Sequence, residues 1–406
     1  MALAAAVFVL LFVIYFWSVR MWDLVQNWRK VPNIRPADTV APVQNAPLIS
    51  VIVPAHNEQA AIEGCIRSVM QQDYPRFELI VADDRSEDKT LQIAESICRG
   101  WSNCKVISIR DLPHGWTGKC HALDEAVKHA SGEWLAFLDA DSKLEKEALR
   151  LCYNEAARNK VNLLTLIPKF VVRTFWDKAL QPIFGGMCCI LFPPAKVNDP
   201  TSAIACANGM FYMISRYAYE KIGGHREVSE LAVEDVAIGK RVKAAGLGIL
   251  MANGRNVMQT RMYTGFRETL EGWTRILSAC MNYELLAVIK YLWVHILVSL
   301  PVLAAALYMY TLSARELWPD WWFILPCMCL VLMSVVSYFF LQEMGLPGKY
   351  AVILMLGNLM LIWVYAVILK RILCKDALHW RGTTYHNCRY EPGRLDPASP
   401  QAYRQS

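Results

Sequence analysis

The spacing of apolar positions changes repeatedly between residues 48 and 140. Leu48-Ile49-Ser50-Val51-Ile52-Val53-Pro54 is a short β-branched run and predicts a buried strand. Phe77-Glu78-Leu79-Ile80-Val81-Ala82 and Cys104 to Ile109 predict two more. Between the first two runs, Ile62, Cys65, Ile66 and Val69 recur at i, i+3, i+4 and i+7, the period of one helix face. A second helix is expected over Lys89 to Arg99, and Ala122, Leu123, Ala126, Val127 and Ala130 mark a third. Trp134-Leu135-Ala136-Phe137-Leu138 then reads as a fourth strand. This alternation predicts an α/β domain on a parallel sheet, with ligands bound beyond the carboxyl ends of the strands.

Polar clusters follow three of those strands: Ala55-His56-Asn57-Glu58, Asp83-Asp84-Arg85-Ser86 and Asp139-Ala140-Asp141. Residues two apart on an extended chain share a face, so Asp139 and Asp141 converge. Two convergent carboxylates suit Mg²⁺ or Mn²⁺, which complete their shells with substrate phosphates. A solvated acidic turn is the simpler alternative. Other candidates carry similar alternatives. Glu58 can line a pocket or cap the following helix, and Lys119 can meet a ligand or open a helix in solvent. Glu234-Asp235 starts the pattern Val236, Ile238, Gly239, Val242, where acids favour a helix N-terminus anyway. Asp88 is read as an N-cap before Lys89, and His56 as a pocket wall rather than a metal ligand.

In this order, Ile52-Val53-Pro54-Ala55-His56-Asn57-Glu58, Asp83-Asp84-Arg85-Ser86, Gly118-Lys119 with Ala122-Leu123, Asp139-Ala140-Asp141 and Glu234-Asp235 resemble family-two glycosyltransferases of the GT-A fold. The resemblance covers roughly Leu48 to Tyr263. Gly115-Trp116-Thr117-Gly118-Lys119 and Arg261-Met262-Tyr263 are similar to membrane-bound enzymes associated with hopanoid and carotenoid glycosylation. The resemblance implies that Asp83 or Asp84 holds the nucleotide base or ribose, with Pro54, Ala55 and Glu58 lining that pocket. It implies further that Lys119 approaches the diphosphate, that Asp139 and Asp141 bind a divalent cation with it, and that Asp235 is the catalytic base, beside Glu234. Many relatives carry Gln-x-x-Arg-Trp after the Glu-Asp pair. Here the chain reads Gln259-Thr260-Arg261-Met262-Tyr263 and later Gly272-Trp273-Thr274-Arg275, which argues against a processive polymerase. Arg261 or Arg275 is left to face the donor diphosphate.

Of the 406 residues, 55% are hydrophobic, and the excess lies at the ends. Met1 to Trp17 is uncharged and apolar, followed by Arg20, Arg29, Lys30 and Arg35. A signal peptide carries its charge before the apolar core, so an uncleaved anchor is expected, with the enzyme domain cytoplasmic. Three further spans are expected at about Val288 to Leu312, Trp321 to Leu341 and Tyr350 to Leu369, with Trp318, Trp321 and Trp322 in an interfacial belt. Four spans would leave the basic tail (Lys370, Arg371, Lys375, Arg381, Arg389, Arg394) outside, against the positive-inside rule. One C-terminal segment is therefore expected to be re-entrant or interfacial, with Phe266 to Lys290 along the membrane surface. Thirteen cysteines without CxxC spacing argue against a disulfide framework or a zinc site and for reduced thiols. The charge of +6 suits an anionic membrane surface and gives no sign of nucleic-acid binding.

The resulting expectation is an anchor at 1–20, a linker at 21–47 containing Pro32, Pro36, Pro42 and Pro47, and a GT-A domain at 48–265. Interfacial and transmembrane helices at 266–372 and a basic cytoplasmic tail at 373–406, disordered after Pro392, complete the chain. The expected function is an integral (inner-membrane) inverting glycosyltransferase that moves a sugar from a uridine-linked donor to a lipid or isoprenoid hydroxyl. The apolar region Phe170 to Pro200 is either an acceptor-facing surface or core. Rival readings are a polysaccharide synthase, an inactive membrane scaffold with this fold, and an Asp-x-Asp phosphatase. The last places its motif at the first strand rather than the fourth.

Overall fold

The predicted strands and helices form at their expected places, and the sheet they build is mixed rather than parallel. The computed structural model describes residues 2–36, 45–263, 265–313, 321–374, 378–380 and 383–385. Pro42, Trp318, Lys375, Arg381, Arg389, Arg394 and the stretch after Pro392 lie outside them. The strands are β1 Ile49–Ala55, β2 Phe77–Asp84, β3 Cys104–Ile109, β4 Trp134–Leu138, β5 Ser142–Leu144, β6 Leu163–Ile167, β7 Lys169–Phe170, β8 Phe211–Ser215, β9 Ile249–Asn253 and β10 Met258–Thr260. Seven of them form one sheet in the order β3-β2-β1-β4-β8-β6-β9. β3, β2, β1 and β4 run parallel, and β8 runs antiparallel to both β4 and β6. The correction has a simple cause. The chain enters β8 at the carboxyl end of β4, where the Asp139 amide donates to the Met210 carbonyl. It must therefore run back, and in doing so it delivers residues 206–210 to the ligand end of the sheet.

The β-branched runs are buried on both faces, which explains why they lack alternation. Val51 and Val53 join one core with Ile62, Ile66 and Val69 of the Ile62–Met70 helix. Ile52 joins the other with Leu123 and Ala126 of the Gly118–Lys128 helix. Each such Val, Ile or Leu stabilises the fold by about 1.5–3 kcal/mol. A second small sheet, β5-β10-β7, closes the ligand end from one side. Cys98 and Cys104 are joined by a disulfide across the turn into β3, correcting the expectation that all thiols are reduced. The other described cysteines are free.

The Phe175–Leu191 helix is part core and part cavity wall. A Thr174–Asp177 capping box starts it. Its Ala179, Leu180, Phe184 and Met187 pack with Trp273 and Leu277 of the Phe266–Cys280 helix and with Leu361 and Tyr365 of the Leu354–Cys374 helix. Phe266–Cys280 has a buried apolar face, and after a turn through Asn282 and Tyr283, both at positive φ, the Leu285–Ser313 helix begins. Trp321–Glu343 follows, and Arg255 ties its end to the α/β domain by donating to the Gln342 and Glu343 carbonyls at 2.9 and 2.8 Å. Ala2–Arg29 is a further long helix. By length and composition, Phe175–Asn198, Pro326–Glu343 and Leu354–Cys374 are each apolar enough to cross a membrane, and Leu285–Pro301 is a shorter apolar helix.

Candidate active site

The loops after β1 and β2 are clamped together. Asn57 takes positive φ so that its amide reaches the Ser86 hydroxyl at 3.0 Å, while its side-chain oxygen accepts from the Glu87 amide at 2.8 Å. The Glu58 amide donates to Thr90 Oγ1 at 2.7 Å, and its carbonyl receives the Ala61 and Ile62 amides. The capping role thus falls to the Glu58 backbone, which leaves its side chain on a polar cleft of about 160 Å³. Asp88 is structural, as expected, but sits one residue before the cap position. It accepts from the Thr90 amide at 2.9 Å and the Gln59 amide at 3.2 Å.

Pro54, Ala55, His56, Glu58, Asp84, Lys119, Asp139 and Asp141 line that cleft. Asp84 is held by Arg85 at 2.8 Å. A Cβ on Gly118 would lie 2.2 Å from Asp84 Oδ2, so any larger residue there would displace the Asp84 carboxylate. Asp83 is not part of the lining. It is 2% exposed and accepts from the Ser86 amide at 3.3 Å, with its carboxyl raised by burial.

Lys119, at the start of a helix capped by Thr117, joins the acidic groups. Its Nζ lies 2.8 Å from Asp139 Oδ1 and 2.9 Å from Glu234 Oε1. Burial alone would lower the Lys119 ammonium, but Asp139, Glu234 and Asp235 together hold it well above its ordinary value. Burial likewise pushes Glu234 upward, and Lys119 reverses this to a net lowering. Asp141 accepts from Thr260 Oγ1 at 3.2 Å across the β5–β10 pairing. Among the described residues no third His, Cys, Asp or Glu joins a cluster that could hold a metal. Asp139 and Asp141 both line the polar cleft, and a pair of carboxylates is the donor type a hard divalent cation takes when substrate oxygens and water supply its remaining ligands.

Asp235 belongs to a different wall. The Glu234–Ala244 helix is seated by Gly239, where a Cβ would come within 2.5 Å of the Ala207 amide nitrogen. This packing brings Asp235 Oδ2 to 2.5 Å from the Gly209 amide, and Oδ1 to 2.8 Å from the Val236 amide. Burial raises its carboxyl to about 7, the Glu234 charge adds to the rise and Lys119 opposes it. Asp235 opens onto a cavity of about 190 Å³ whose other walls include Ile167, Phe170, Phe192, Trp273 and Met344. Lys119, Asp139, Met262 and Arg275 line this cavity and the polar cleft alike. The site is therefore two chambers, one acidic and polar, one apolar, meeting at Lys119 and Asp139.

Residues 50–223 match the family model described as glycosyl transferase family 2. They form a family 2 glycosyltransferase domain. Over 238 residues the chain is 29% identical to 4,4'-diaponeurosporenoate glycosyltransferase of Staphylococcus aureus (strain USA300), covering 58% of this chain and 62% of that relative. The match thus spans less than two thirds of the relative's length. Among solved structures, the mannosyltransferase PcManGT from Pyrobaculum calidifontis, in complex with GDP-Man and Mn²⁺, aligns with a TM-score of 0.55 at 18% identity, over 88% of this chain and 98% of that one. The fold is GT-A.

Within this glycosyltransferase domain some site features carried little sequence signal. Gly209 is one: the Asn208-Gly209 pair reads only as a turn, yet any side chain there would press on Asp235 Oδ2 at 2.9 Å and Lys119 Nζ at 3.2 Å. Arg261 lines neither chamber. Its backbone amide donates to the Asp141 carbonyl at 3.3 Å, and Arg275 is the arginine that reaches both chambers. Arg275 is itself steadied by donating to the Ala232 carbonyl at 2.7 Å.

Proposed function

We propose that the chain is a membrane-bound inverting glycosyltransferase acting on a lipid or isoprenoid hydroxyl. The observation that carries this reading is the position of Asp235. A carboxylate raised to about 7 lines an apolar chamber that adjoins a polar cleft at Lys119 and Asp139. The relative from S. aureus is named for a diaponeurosporenoate acceptor, and PcManGT is in complex with GDP-Man and Mn²⁺. Both names agree with an apolar acceptor and a nucleotide-sugar donor here.

In this reading the polar cleft takes a nucleoside-diphosphate sugar, with uridine as the expected base. Asp84 and Glu58 face its nucleoside, and Lys119 and Arg275 face its diphosphate. A divalent cation, held by Asp139 and Asp141, would supply positive charge to the leaving diphosphate. The acceptor oxygen attacks the anomeric carbon from the apolar side, and Asp235 takes its proton. The bond from the anomeric carbon to the diphosphate oxygen breaks, and the nucleoside diphosphate leaves with the electron pair. A single displacement of this kind inverts the anomeric centre. Lys119 pairs directly with Asp139 and Glu234, while burial and the Glu234 charge leave Asp235 as the raised, basic carboxylate of the group.

The test is a panel of uridine- and guanosine-linked sugars supplied to the purified full-length protein in phospholipid nanodiscs. Donor consumption is followed with and without chelator. Metal-dependent turnover of at least one donor is expected. Donor turnover that is unchanged in excess chelator would contradict the roles given to Asp139 and Asp141.

A further inference from the structure

The Phe175–Leu191 helix is lined by cavities on two faces. Gly185 and Cys188 face the Asp235 chamber, while Ile183, Gly186 and Ile190 face another cavity of about 160 Å³. Cys189 lines both. This second cavity lies between that helix, the Ala2–Arg29 helix and the C-terminal helices. Phe16 and Trp28 both line it, a separation of roughly 18 Å along a helix at 1.5 Å per residue. Its shape suits an elongated apolar body.

Its walls also hold polar groups that the transfer chemistry does not use. The Trp17 indole nitrogen is buried without a hydrogen-bond partner among the described residues. His295 Nδ1 lies 2.6 Å from Asn358 Oδ1, and Asn358 Nδ2 donates to Ser299 Oγ at 2.5 Å. His295 and Asn358 are 7% and 5% exposed, and both line the cavity. Polar and ionisable side chains among apolar helices are costly, and where they persist they commonly mark a ligand path. A buried N–H without an acceptor calls for one.

We propose that this cavity holds the distal part of the acceptor, a hydrocarbon chain carrying an oxygen function remote from its reacting hydroxyl. That oxygen accepts from the Trp17 N–H, and the His295–Asn358 pair provides a second polar contact. Cys189 is common to both cavities, so one elongated molecule passing around the Phe175–Leu191 helix fills the two together. The inference rests on the apolar acceptor proposed above.

The test uses the full-length chain in phospholipid nanodiscs. The probe is a long isoprenoid α,ω-diol with a photoreactive diazirine near the ω end, beside the matching mono-alcohol. After illumination, the diol adduct should map to peptides containing Trp17 or His295. In transfer assays the diol should show a KM about five- to tenfold below that of the mono-alcohol, the size of one or two neutral hydrogen bonds. Trp17→Phe should bring the two KM values together, and Ile190→Trp should raise the KM of the long alcohols about tenfold relative to a short one. An ω-end adduct elsewhere in the chain, or a diol preference that survives Trp17→Phe, overturns the proposal. Labelling of the cavity by a photoreactive phospholipid but not by the diol makes it a bulk-lipid site and also overturns it. Adducts at Trp17 or His295 without any sugar transfer support the cavity assignment and contradict the proposed function instead.

Discussion

Lys119 is where the charge of the site is balanced, because it contacts Asp139 and Glu234 while Asp235 lies beside them. Removing it leaves Glu234 buried and unpaired. Lys119→Met should lower stability by about 1–3 kcal/mol, because Glu234 is left buried and unpaired while the lysine itself is partly solvated, and Lys119→Met with Glu234→Gln should recover most of it without recovering turnover. Denaturant melts of the three proteins check this. Asp235→Asn should keep donor binding and cut kcat by about 10²–10⁴-fold, the range of general-base loss. Calorimetric donor titration beside steady-state rates separates the two effects. The same carboxylate sets a pH dependence. With its folded pKa raised to about 7, Asp235 binds a proton in the folded state that the unfolded chain has already lost, so its contribution to stability is present at low pH and is lost as pH rises through about 7. Activity should rise over that interval, as the base deprotonates. The rising limb near pH 7 should vanish from the residual rate of Asp235→Asn.

The elements that hold these residues were legible to different degrees. β1, β2 and β4 announced themselves because both faces of each are largely buried, which makes their apolar runs continuous, whereas the edge strand β3 exposes Lys105 and Ser108 and showed only as a short apolar stretch. Asp139 and Asp141 were legible for the same reason, as the polar end of one such run. The antiparallel β8 was not, since a buried apolar strand carries no mark of its direction. The Gly209 contact and the choice of Arg275 over Arg261 depend on tertiary approach and leave no local pattern. Neither did the seating of the Glu234–Ala244 helix on the Cys206–Ala207 backbone through Gly239. Gly239→Val should therefore push that helix away, lowering the melting temperature and separating Asp235 from the Gly209 amide. A rise in acceptor KM with a fall in kcat, at nearly unchanged donor affinity, is the expected kinetic result.

Across the whole molecule, the C-terminal helices form a wall against the transferase domain. Tyr291 stacks on Tyr365, and Ser299 meets Asn358, so the Leu285–Ser313 and Leu354–Cys374 helices run antiparallel. The end of Leu354–Cys374 thus returns beside the start of Leu285–Ser313, where Ile368 shares a core with Leu277 and Met281. In the proposed membrane arrangement this keeps Lys370 and Arg371 on the side of the transferase domain, in accord with the positive-inside rule. An impermeant thiol reagent should then reach the exposed Cys374 from the same side as a protease reaches the domain. Trp293, Val331 and Trp363 are 58%, 63% and 52% exposed, an apolar outer surface that suits lipid rather than water.

The most direct test of the two-chamber site is product analysis with competing acceptors. Full-length protein in nanodiscs receives the donor selected from the panel, a long isoprenoid alcohol and a water-soluble sugar alcohol at equal concentration. The lipid and aqueous phases are then analysed by mass spectrometry. An apolar chamber around Asp235 predicts that the sugar appears on the isoprenoid alcohol with inverted anomeric configuration, and that Asp235→Asn loses this product. Sugar found mainly on the water-soluble acceptor, or product with retained configuration, would contradict the account.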